Sequence, residues 1–555
     1  MTLPTAVDSY HYTVMSYTQA PSFYGANPDT GRMGALSPWT PMIYDIQAIQ
    51  HLYGANTSTA ASNDTYVFDP SRTQFMTIWD AGGIDIIDAS RQGNSVTIDL
   101  APGALSTISM PYGAGISKTG PDGQVYTQPV SIVGIALGTI IENAASGSAG
   151  DVIWGNAVSN TLSGNTGDDR LHGLSGNDYL SGGDGFDIAL FGDSPDAVTV
   201  DLSAGFAASA RIGRDTLVSI EGAGGGSGSD LFIGTGSENQ FFGGDGSDTV
   251  IYNGGSDWFD GGAGRDTVTG FGLRHEYSTF AFGGGNGAVG GQSTAGVEKF
   301  VFADGTLTTD TADSAVQVFK LYGATLGRTP DLGGLRAWTG AIESKAMTLD
   351  QTVDGLNGSA EFQAKYGSLN NTAFVKMLYV DVLGREADAR GQAAWIGGLN
   401  SGMTRPQVVL GFSESTENIA RRAPDVQKGL WIGDDLAMKV ARMYDTTLDR
   451  MGDAPGIRGW IGALKSGTTL KAMADGYTGS AEFRGKYGAL DDTSFVRQLY
   501  RNVLDRDGEE SGVKAWVGGL KGGLTRSDIV IGFSESNEHV VKLAGLTDHD
   551  VNLYA

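Results

Sequence analysis

Residues 146–190 read SGSAGDVIW-GNAVSNTLS-GNTGDDRLH-GLSGNDYLS-GGDGFDIAL, which is five consecutive units of nine residues. A second run of five units occupies residues 225–269, from GGSGSDLFI to GGAGRDTVT. The sixth position of every unit is Asp or Asn, and the eighth is apolar or aromatic. A strict period of nine with Asp or Asn in phase indicates a repeat architecture rather than a flexible glycine-rich linker.

Each unit predicts a tight turn of about six residues followed by a short strand. The turn needs glycine where φ is positive, and the strand buries the side chain at position eight. Two units make one coil, so residues 18 apart stack on the same side. This predicts two columns, formed by Asp151, Asp169 and Asp187 and by Asp230, Asp248 and Asp266. Stacked carboxylates repel each other unless a cation lies between them, and carboxylate and carbonyl oxygens favour calcium.

These units resemble the repeats-in-toxin (RTX) family, whose nonapeptides form a calcium-bound parallel β-roll. The resemblance implies that each ion is held by positions 2, 4 and 6 of one turn and positions 1, 3 and 6 of the turn two units later. In the first run the implied positions are Gly147, Ala149, Asp151, Gly164, Asn165, Thr166, Gly167, Asp169, Gly173, Asp178, Gly182, Asp184 and Asp187. In the second run they are Gly226, Gly228, Asp230, Gly243, Gly244, Asp245, Gly246, Asp248, Asp257, Gly261, Ala263 and Asp266. Asn160, Asn239 and Tyr252 depart from the pattern.

The region before the repeats is similar to the serralysin-type secreted metalloproteases, over roughly residues 10–270. The landmarks are YTVMSY at 12–17, PMIYDIQAIQHLYGAN at 41–56, TIWDAGGIDIIDAS at 77–90 and TIIENAASGSAGDVIWGN at 139–156. The resemblance implies further calcium ligands at Thr65, Asp80, Gly82, Asp85 and Glu142. It also implies that Met15 is the methionine of the turn beneath a zinc site and that Tyr17 is the tyrosine that approaches the metal.

A serralysin-like peptidase also needs a helix reading HExxHxxGxxH, in which the histidines bind zinc and the glutamate activates water. This sequence has six histidines, and none lies four residues from another: His11, His51, His172, His275, His539 and His549. We therefore expect no catalytic residues and no zinc in this chain, with Met15 and Tyr17 packed in the core of a remnant lobe. A zinc helix encoded upstream and a diverged, non-catalytic protein are both left open.

A different repeat begins after residue 310. Four segments share Tyr-x5-Arg-x2-(Asp/Glu)-x2-Gly-x3-Trp, with Tyr322, Tyr379, Tyr444 and Tyr500, Arg328, Arg385, Arg450 and Arg506, and Trp338, Trp395, Trp460 and Trp516. Apolar residues before each Arg recur at helical spacing. We predict two helices joined by a loop, in which the acid pairs with the Arg and caps the second helix. The segments resemble a repeated domain of unknown function found in secreted bacterial proteins. A core Trp and a structural ion pair are expected; a ligand-binding groove is the alternative.

The formal charge of −26 is uneven. Residues 1–310 carry 33 Asp and Glu against 10 Lys and Arg, whereas residues 311–555 carry 30 against 27. The acidic half disfavours nucleic acid as a partner. The absence of cysteine excludes disulfides and thiolate metal sites. No apolar run approaches the roughly 20 residues of a membrane span, and the first residues do not form a conventional signal peptide.

The sequence thus predicts a multidomain protein, with a calcium-bound parallel β-roll or β-solenoid (all-β) as its N-terminal half and an all-α repeat C-terminal half. The expected domains are 1–56 (a metzincin remnant lobe with the methionine turn and a helix), 57–310 (the roll), 311–430 and 431–547 (helical repeats) and a tail at 548–555. We expect a secreted, extracellular bacterial protein that binds several calcium ions and leaves through a type I secretion apparatus. The alternative function is a non-enzymatic adhesin or extracellular matrix or surface protein that binds through its helical repeats.

Overall fold

The computed structural model describes residues 12–15, 24–26, 33–35, 38–70, 74–108, 116–119, 125–128, 133–277, 280–283, 286–540 and 542. The chain divides into two compact units, residues 1–266 with 291–296 and residues 267–290 with 297–555. Tyr17, His11, His549 and the predicted tail at 548–555 lie outside the described residues.

The first unit consists of one helix and many short strands. Its elements before the nonapeptides are β1 Tyr24–Ala26, β2 Met33–Ala35, α1 Ile43–Tyr53, β3 Thr65–Val67, β4 Met76–Ile78, β5 Ile86–Asp88, β6 Thr97–Asp99, β7 Leu105–Ser106, β8 Ile116–Thr119, β9 Val125–Gln128, β10 Val133–Ile135 and β11 Asn143–Ala145. The first run of repeats forms β12 Val152–Asn156, β13 Thr161–Thr166, β14 Arg170–Leu174, β15 Tyr179–Asp184 and β16 Ile188–Leu190. The strands that follow are β17 Thr199–Asp201, β18 Phe206–Ser209, β19 Gly213–Val218, β20 Gly222–Gly224, β21 Leu231–Ile233, β22 Gln240–Asp245, β23 Thr249–Ile251 and β24 Trp258–Ala263, and Gln292–Ala295 belongs to this unit as β28.

These strands build the predicted β-roll. Sheet 1 has the order β3-β5-β11-β13-β15-β19-β18-β17-β21-β23, and sheet 2 has the order β28-β24-β22-β20-β16-β14-β12-β6. Successive coils pair in parallel with a register of 18 residues, so that Ile153 lies beside Leu171 and Leu171 beside Ala189. Each coil therefore gives one strand to each sheet, which confirms the predicted parallel solenoid.

The roll is filled by the side chains at position eight of the repeats. The nine that belong to the first unit are at most 3% exposed: Ile153, Leu162, Leu171, Leu180, Ala189, Phe232, Phe241, Val250 and Phe259. The strands of the repeats are three to six residues long, and each contributes one inward side chain at this level. Burial of one apolar side chain per strand provides the main favourable term for stacking one coil on the next.

Residues 191–224 interrupt the nonapeptides and change their phase. Strand β18 runs antiparallel to both β17 and β19, so an extra hairpin enters sheet 1. After the insertion, the strands that follow Asp230 and Asp248 join sheet 1, whereas those that follow Asp169 and Asp187 belong to sheet 2. The two predicted Asp columns therefore border different sheets, because register is set by strand pairing across the insertion and not by counting along the chain.

The methionine turn is anchored on the start of helix α1. The Thr13 hydroxyl donates a hydrogen bond to Asp45, and the Val14 amide donates to the other carboxylate oxygen of Asp45 (2.8 Å). The side chain of Met15 is 78% exposed. The expectation that Met15 packs in a core is therefore wrong; the turn is held by polar contacts to Asp45, which leave the methionine at the surface.

The second unit begins with strands and continues as helices. Its strands are β25 Thr267–Thr269, β26 Phe280–Gly283, β27 Asn286–Val289, β29 Lys299–Phe302, β30 Gly305–Thr308 and β31 Leu430–Gly433. Its helices are α2 Ser314–Thr325, α3 Leu332–Glu343, α4 Leu349–Asn357, α5 Ala360–Tyr366, α6 Asn371–Leu383, α7 Ala389–Asn400, α8 Arg405–Ser413, α9 Thr416–Val426, α10 Asp435–Leu448, α11 Ala454–Lys465, α12 Leu470–Thr478, α13 Ala481–Tyr487, α14 Asp492–Leu504, α15 Glu510–Lys521 and α16 Arg526–Ser534.

The helical repeats form two hydrophobic cores, one within residues 315–430 and one made mainly of residues 437–533. The C-terminal half is not entirely α-helical, since β31 pairs antiparallel with β30. Leu430 and Trp431 in β31 are 3% and 6% exposed, so this apolar segment between the two domains is buried as a strand. In the parts of the chain that the structure describes, no helix has the length and apolarity needed to cross a membrane.

The shared motif of the four helical segments has a packing explanation. The Tyr322 hydroxyl lies where a Cβ on Gly334 would be, and the ring of Trp338 lies against Gly355 on the next helix. The same pairs recur in the other segments at Gly391, Gly456 and Gly512 and at Gly411, Gly476 and Gly532. Each Trp packs at the edge of its core, which confirms the expected structural role of the tryptophans.

The motif arginines have a partner that sequence reasoning missed. Near its end each unit has a Ser-x-Glu sequence, which begins at Ser359, Ser415, Ser480 or Ser536. Each motif Arg forms an ion pair with the Glu of that sequence: Arg328 with Glu361 (2.7 Å), Arg385 with Glu417 (2.5 Å), Arg450 with Glu482 (2.9 Å) and Arg506 with Glu538 (2.6 Å). The acid three residues after the Arg caps the second helix through its side chain at Asp331, Asp388 and Asp453. Asp331 and Asp388 also pair with Arg328 (3.8 Å) and Arg385 (3.6 Å), as predicted. Glu509 does not cap; its longer side chain reaches Arg506 at 2.6 Å.

Candidate calcium sites of the β-roll

Asp residues 18 apart are linked through the backbone, along the edge of sheet 2 in the first run and of sheet 1 in the second. The amide of Asp151 donates to Oδ1 of Asp169 (2.7 Å), and the amide of Asp169 donates to Oδ1 of Asp187 (2.8 Å). In the second run the amide of Asp230 donates to Oδ1 of Asp248, and that of Asp248 to Oδ1 of Asp266, both at 2.7 Å. One oxygen of each carboxylate is therefore used to hold the turn of the preceding coil.

The other carboxylate oxygen points into the turn and is buried. Oδ2 has no hydrogen-bond partner among the described residues at Asp169, Asp187 and Asp248 of the columns, and the same holds at Asp85, Asp178 and Asp215 elsewhere in the roll. The six side chains are at most 2% exposed. A buried carboxylate oxygen with no partner is costly, so these oxygens are the features of the roll that most require a ligand.

The glycine at position one of the repeat makes room for this oxygen. A Cβ on Gly164, Gly182 or Gly243 would collide with Oδ2 of the aspartate five residues later in the same unit. The following turn also needs glycine, since Gly183 and Gly185 have φ of 118° and 147° and lie against the backbone of the preceding coil. Glycine thus lets backbone carbonyls and carboxylates approach one small space from two coils.

The structure brings together the turns that the resemblance pairs. The amide of Thr166 faces the carbonyl of Gly147 (3.5 Å), and the amide of Gly167 donates to the carbonyl of Asp184 (2.8 Å). In the second run the amide of Asp245 donates to the carbonyl of Gly226 (3.2 Å) and that of Gly246 to the carbonyl of Ala263 (2.8 Å). Each predicted pair of turns is therefore adjacent, with carboxylate and carbonyl oxygens on both sides.

The same edges continue through acids that the nonapeptide count missed. The amide of Asp178 donates to Oδ1 of Asp215, and that of Asp187 donates to Oε2 of Glu221. These partners lie 37 and 34 residues later along the chain, because the inserted hairpin breaks the spacing of 18. The signal that could have found them is an acid directly before or within a short apolar strand, as in RDTLVS and SIEGAGG.

A further cluster lies at the start of the roll. One carboxylate oxygen from each of Asp64, Asp80 and Asp85 lies within 4.8 Å of the others. The Asp64 amide donates to Asp85 (2.7 Å), and the Asp85 amide donates to Oε2 of Glu142 (2.8 Å). Asp80, Asp85 and Glu142 were predicted as neighbours of one site, and the structure adds Asp64 to the cluster. Thr65, the predicted contributor next to it, is exposed, and its strand pairs with β5.

Burial changes the acidity of these groups. Loss of solvent raises the pKa of Asp169, Asp178, Asp215 and Asp248 to about 7, and that of Asp187 and Asp257 to about 6. At Asp169 and Asp248 the neighbouring carboxylates of the column raise the pKa further. In the absence of a cation the roll therefore favours protonated carboxyl groups, since both burial and repulsion disfavour the charged form.

The donor set fits calcium. It consists of hard oxygen atoms from carboxylates and backbone carbonyls, and the cysteine and paired-histidine ligands that zinc prefers are absent from the sequence of the repeats. A divalent cation between two turns would satisfy the buried Oδ2 atoms and offset the charge repulsion within the column. The fold and these sites together define a parallel β-roll with calcium-binding turns.

Comparison with known families supports this class. The RTX calcium-binding nonapeptide repeat (4 copies) matches residues 154–189, 224–259 and 251–272. A domain of unknown function, DUF4214, matches residues 302–364, 353–422, 438–487 and 474–543. The chain therefore carries RTX calcium-binding repeats in its β-roll and DUF4214 segments in its helical half, as the sequence patterns predicted.

Curated relatives match over the repeat region. A serralysin of Proteus mirabilis is 36% identical over 169 residues, which is 28% of this chain and 30% of that protein. Serralysin C of Dickeya chrysanthemi is 35% identical over 160 residues, 27% of this chain and 28% of the relative. Metallopeptidase AprA of Pseudomonas marginalis is 31% identical over 167 residues, 28% of this chain and 31% of the relative. The chain thus spans about three tenths of the length of the curated relatives that it matches.

Proposed function

We propose that this chain is a secreted, extracellular RTX protein, related to serralysins, whose β-roll folds only when calcium binds. The observation that carries the proposal is the row of buried carboxylate oxygens without a partner at Asp169, Asp178, Asp187 and Asp248. Without an ion these charges repel each other and lack solvation, so the roll is unstable at neutral pH. Calcium binding to the folded state alone supplies the missing stability, because metal binding and folding are then one equilibrium.

The ligands of the proposed ions come from the paired turns. One ion lies between the turns of Asp151 and Asp169, and a second between those of Asp169 and Asp187. Two more lie between the turns of Asp230 and Asp248 and of Asp248 and Asp266. A further ion is held at the cluster of Asp64, Asp80 and Asp85, next to Glu142. The opposite edges of the coils contain the remaining predicted residues, Gly173, Asp178 and Asp257. There the neighbours of Asp178 and Asp257 on the preceding coil are Asn160 and Asn239, which carry no charge.

Circular dichroism of the full chain tests this proposal. We expect the strand signal and the protease resistance of residues 146–269 to be lost in excess chelator and restored by calcium, but not by magnesium at the same concentration. The helical signal of residues 314–534 serves as the internal control, since those helices contain no part of the sites. An unchanged strand signal in chelator would overturn the proposal.

The proposed export route is type I secretion, in which calcium outside the cell completes the fold. The measurement is the fraction of the protein in the culture medium of cells with and without a functional type I exporter. Retention of the protein in exporter-deficient cells is expected, and equal amounts in both media would contradict this route.

We further propose that this chain is not a zinc peptidase. The support is the sequence, in which no two histidines are four residues apart, and the exposed position of Met15. The relatives are named as serralysins and a metallopeptidase, but this chain spans only about three tenths of their length. Metal analysis and a casein-hydrolysis assay in calcium are expected to show neither zinc nor activity; zinc-dependent hydrolysis would overturn this part of the proposal.

A second candidate function is a non-enzymatic adhesin or extracellular matrix or surface protein that binds through its helical repeats. It is favoured by a cleft in the second unit, which lies between equivalent helices of the two helical domains. Binding of the calcium-loaded chain to isolated extracellular polysaccharide, compared with a double variant Arg458→Ala/Lys465→Ala, separates this candidate from a protein that only folds in calcium.

A further inference from the structure

A cleft of about 690 Å³ lies in the second unit between α3 and α11, and strands β29, β30 and β31 line its floor. The volume falls within the range of about 300–1,000 Å³ that is usual for small-molecule sites. No residue of the proposed calcium sites lines it, although Thr269 at the end of the last nonapeptide unit and the adjoining Gly270 and Phe271 do. The cleft therefore needs an explanation of its own.

The two walls of the cleft are equivalent parts of the helical repeat. Arg336 and Arg458 each precede the motif tryptophan by two residues, and Gly340 and Gly462 each follow it by two. In the other two segments the position of the arginines is occupied by Ala393 and Lys514, which do not line the cleft. The cleft thus has one arginine on each wall, in equivalent positions of the repeat. The motif shared by the four segments does not require arginine at this position.

Four basic and four acidic side chains line the cleft, and three of the acids already have partners within the protein. Lys299, Arg336, Arg458 and Lys465 line it, in a chain whose formal charge is −26. Two of the four lining acids serve as helix caps: Asp313 accepts the Ala315 amide and Asp434 accepts the Ala437 amide, both at 2.8 Å. A third, Asp435, lies 3.4 Å from Arg336. Lys299 and Lys465 form no ion pair with any described residue, so their charge is available to a ligand.

Two side chains on the walls are positioned for recognition. The Thr339 hydroxyl is buried, at 4% exposure of the residue, and has no hydrogen-bond partner within the described part of the chain. Thr339 lines the cleft one helical turn after Arg336, on the same face of α3. On the opposite wall Arg458 donates through Nη1 to the carbonyl of Phe271 (3.0 Å), which fixes its guanidinium beside the cleft.

We propose that this cleft binds an acidic saccharide, a short oligosaccharide of uronic acids. Guanidinium groups recognise carboxylates through paired hydrogen bonds, and two arginines in equivalent positions match a ligand that repeats a carboxylate. The buried Thr339 hydroxyl and the exposed Glu343 at the rim pair with sugar hydroxyls, and Ile432 and Ile461 contact the apolar faces of the rings. The inference does not depend on the calcium proposal, because the cleft contains no residue of the β-roll sites.

The test is titration calorimetry of the full chain in saturating calcium, with trigalacturonate as the acidic probe. Maltotriose is the neutral probe of the same length, and inorganic phosphate is the simple anion. Trigalacturonate is expected to bind, and Arg458→Ala is expected to weaken it about tenfold or more, since a hydrogen bond to a charged group is lost. Lys514→Ala, the equivalent position outside the cleft, is the matched control and should change the affinity less than about twofold.

The outcome is decided by three comparisons. Absence of trigalacturonate binding, equal binding of maltotriose or phosphate, or an unchanged affinity in Arg458→Ala would each overturn the proposal. Thermal melts of every variant show whether it is folded. If Arg458→Ala does not fold, Lys465→Ala replaces it, because that side chain is exposed and lines the same cleft. Its expected effect is a several-fold loss of affinity for trigalacturonate alone.

Discussion

The amide of Asp169 donates a hydrogen bond to Oδ1 of Asp187, 2.8 Å away on the next coil, although both side chains are buried acids. The second oxygen of Asp187 has no partner among the residues that the structure describes. The backbone thus holds one oxygen of each carboxylate and turns the other into the repeat turn. This division explains why the repeat keeps Asp at position six and glycine at position one.

The calcium-free roll should be more stable in mild acid than at neutral pH. Burial raises the pKa of Asp169, Asp178, Asp215 and Asp248 to about 7, above the value of about 3.9 of an unfolded Asp. An Asp whose pKa is higher in the folded than in the unfolded state stabilises the fold when it is protonated. This stabilisation is complete below about pH 4 and is lost as the pH rises through about 7. In chelator, the strand signal of the roll in circular dichroism should therefore be larger at pH 5 than at pH 8. With excess calcium the roll should instead be more stable at pH 8 than at pH 5, because protons compete with calcium for the carboxylate ligands. If the roll were more stable at pH 5 in both conditions, the proposed calcium sites would be contradicted.

Replacing one buried acid should have opposite effects with and without calcium. Asp248→Asn removes a charge that is repelled by Asp230 and Asp266, so in chelator at pH 8 we expect the folding equilibrium of the roll to shift by about 1–2 kcal/mol toward the folded state, measured as a larger strand signal in circular dichroism. In calcium the same variant should lose stability and bind the ion more weakly, since a carboxylate ligand is gone. Asp193→Asn, at an exposed position, is the control and should change neither value appreciably. Equal effects in both conditions would show that Asp248 is not a ligand.

The space that the position-one glycine leaves for the Asp side chain can be tested by adding a single methyl group. In Gly243→Ala the new Cβ would collide with Oδ2 of Asp248 and with the carbonyl of Gly261, so we expect a large loss of calcium-dependent stability, about 2–4 kcal/mol. A Cβ at Gly236 meets nothing within 4 Å, which makes Gly236→Ala the matched control in the same run of repeats. Calcium titration followed by circular dichroism measures both variants. A normal calcium response in Gly243→Ala would show that the calcium site does not need the space that Gly243 leaves for Asp248.

The tryptophan of the helical repeat should be sensitive to the glycine that it covers. In Gly532→Ala the Cβ would meet the ring of Trp516, so we expect a loss of about 1–3 kcal/mol in thermal unfolding. A Cβ at Gly518, on the helix that carries this Trp, meets nothing within 4 Å. Gly518→Ala should be neutral or gain up to about 1 kcal/mol from helix propensity. Similar losses in both variants would argue against close packing of the ring.

The local parts of the fold followed directly from the sequence. The period of nine predicted the parallel coils, the pairing of residues 18 apart and the buried position-eight side chains, because each depends on contacts between consecutive repeats. The motif of the helical half likewise predicted the cap at Asp331 and the packed Trp338. The predicted burial of Met15 was wrong, since the turn is held by Asp45 and its methionine is exposed.

The long-range parts of the site could not be predicted by counting. Asp215 and Glu221 complete the columns only because the inserted hairpin changes the register, and Asp64 joins Asp80 and Asp85 across separate strands. The partner of each motif Arg lies about 32 residues later, on a helix whose position depends on the core. Such contacts depend on how the elements pack, which sequence spacing alone does not give.

The sequence by itself determined the class of repeat, the calcium-type ligand chemistry and the two halves of the chain, because period and residue type are local properties. Only the tertiary structure decided which acids share an edge, which carboxylate oxygens are left without a partner, and that Arg336 and Arg458 face the same cleft. The physical reason is that register across an insertion and packing between repeats are set by the sum of many distant contacts. Those contacts place chemically similar residues in different surroundings.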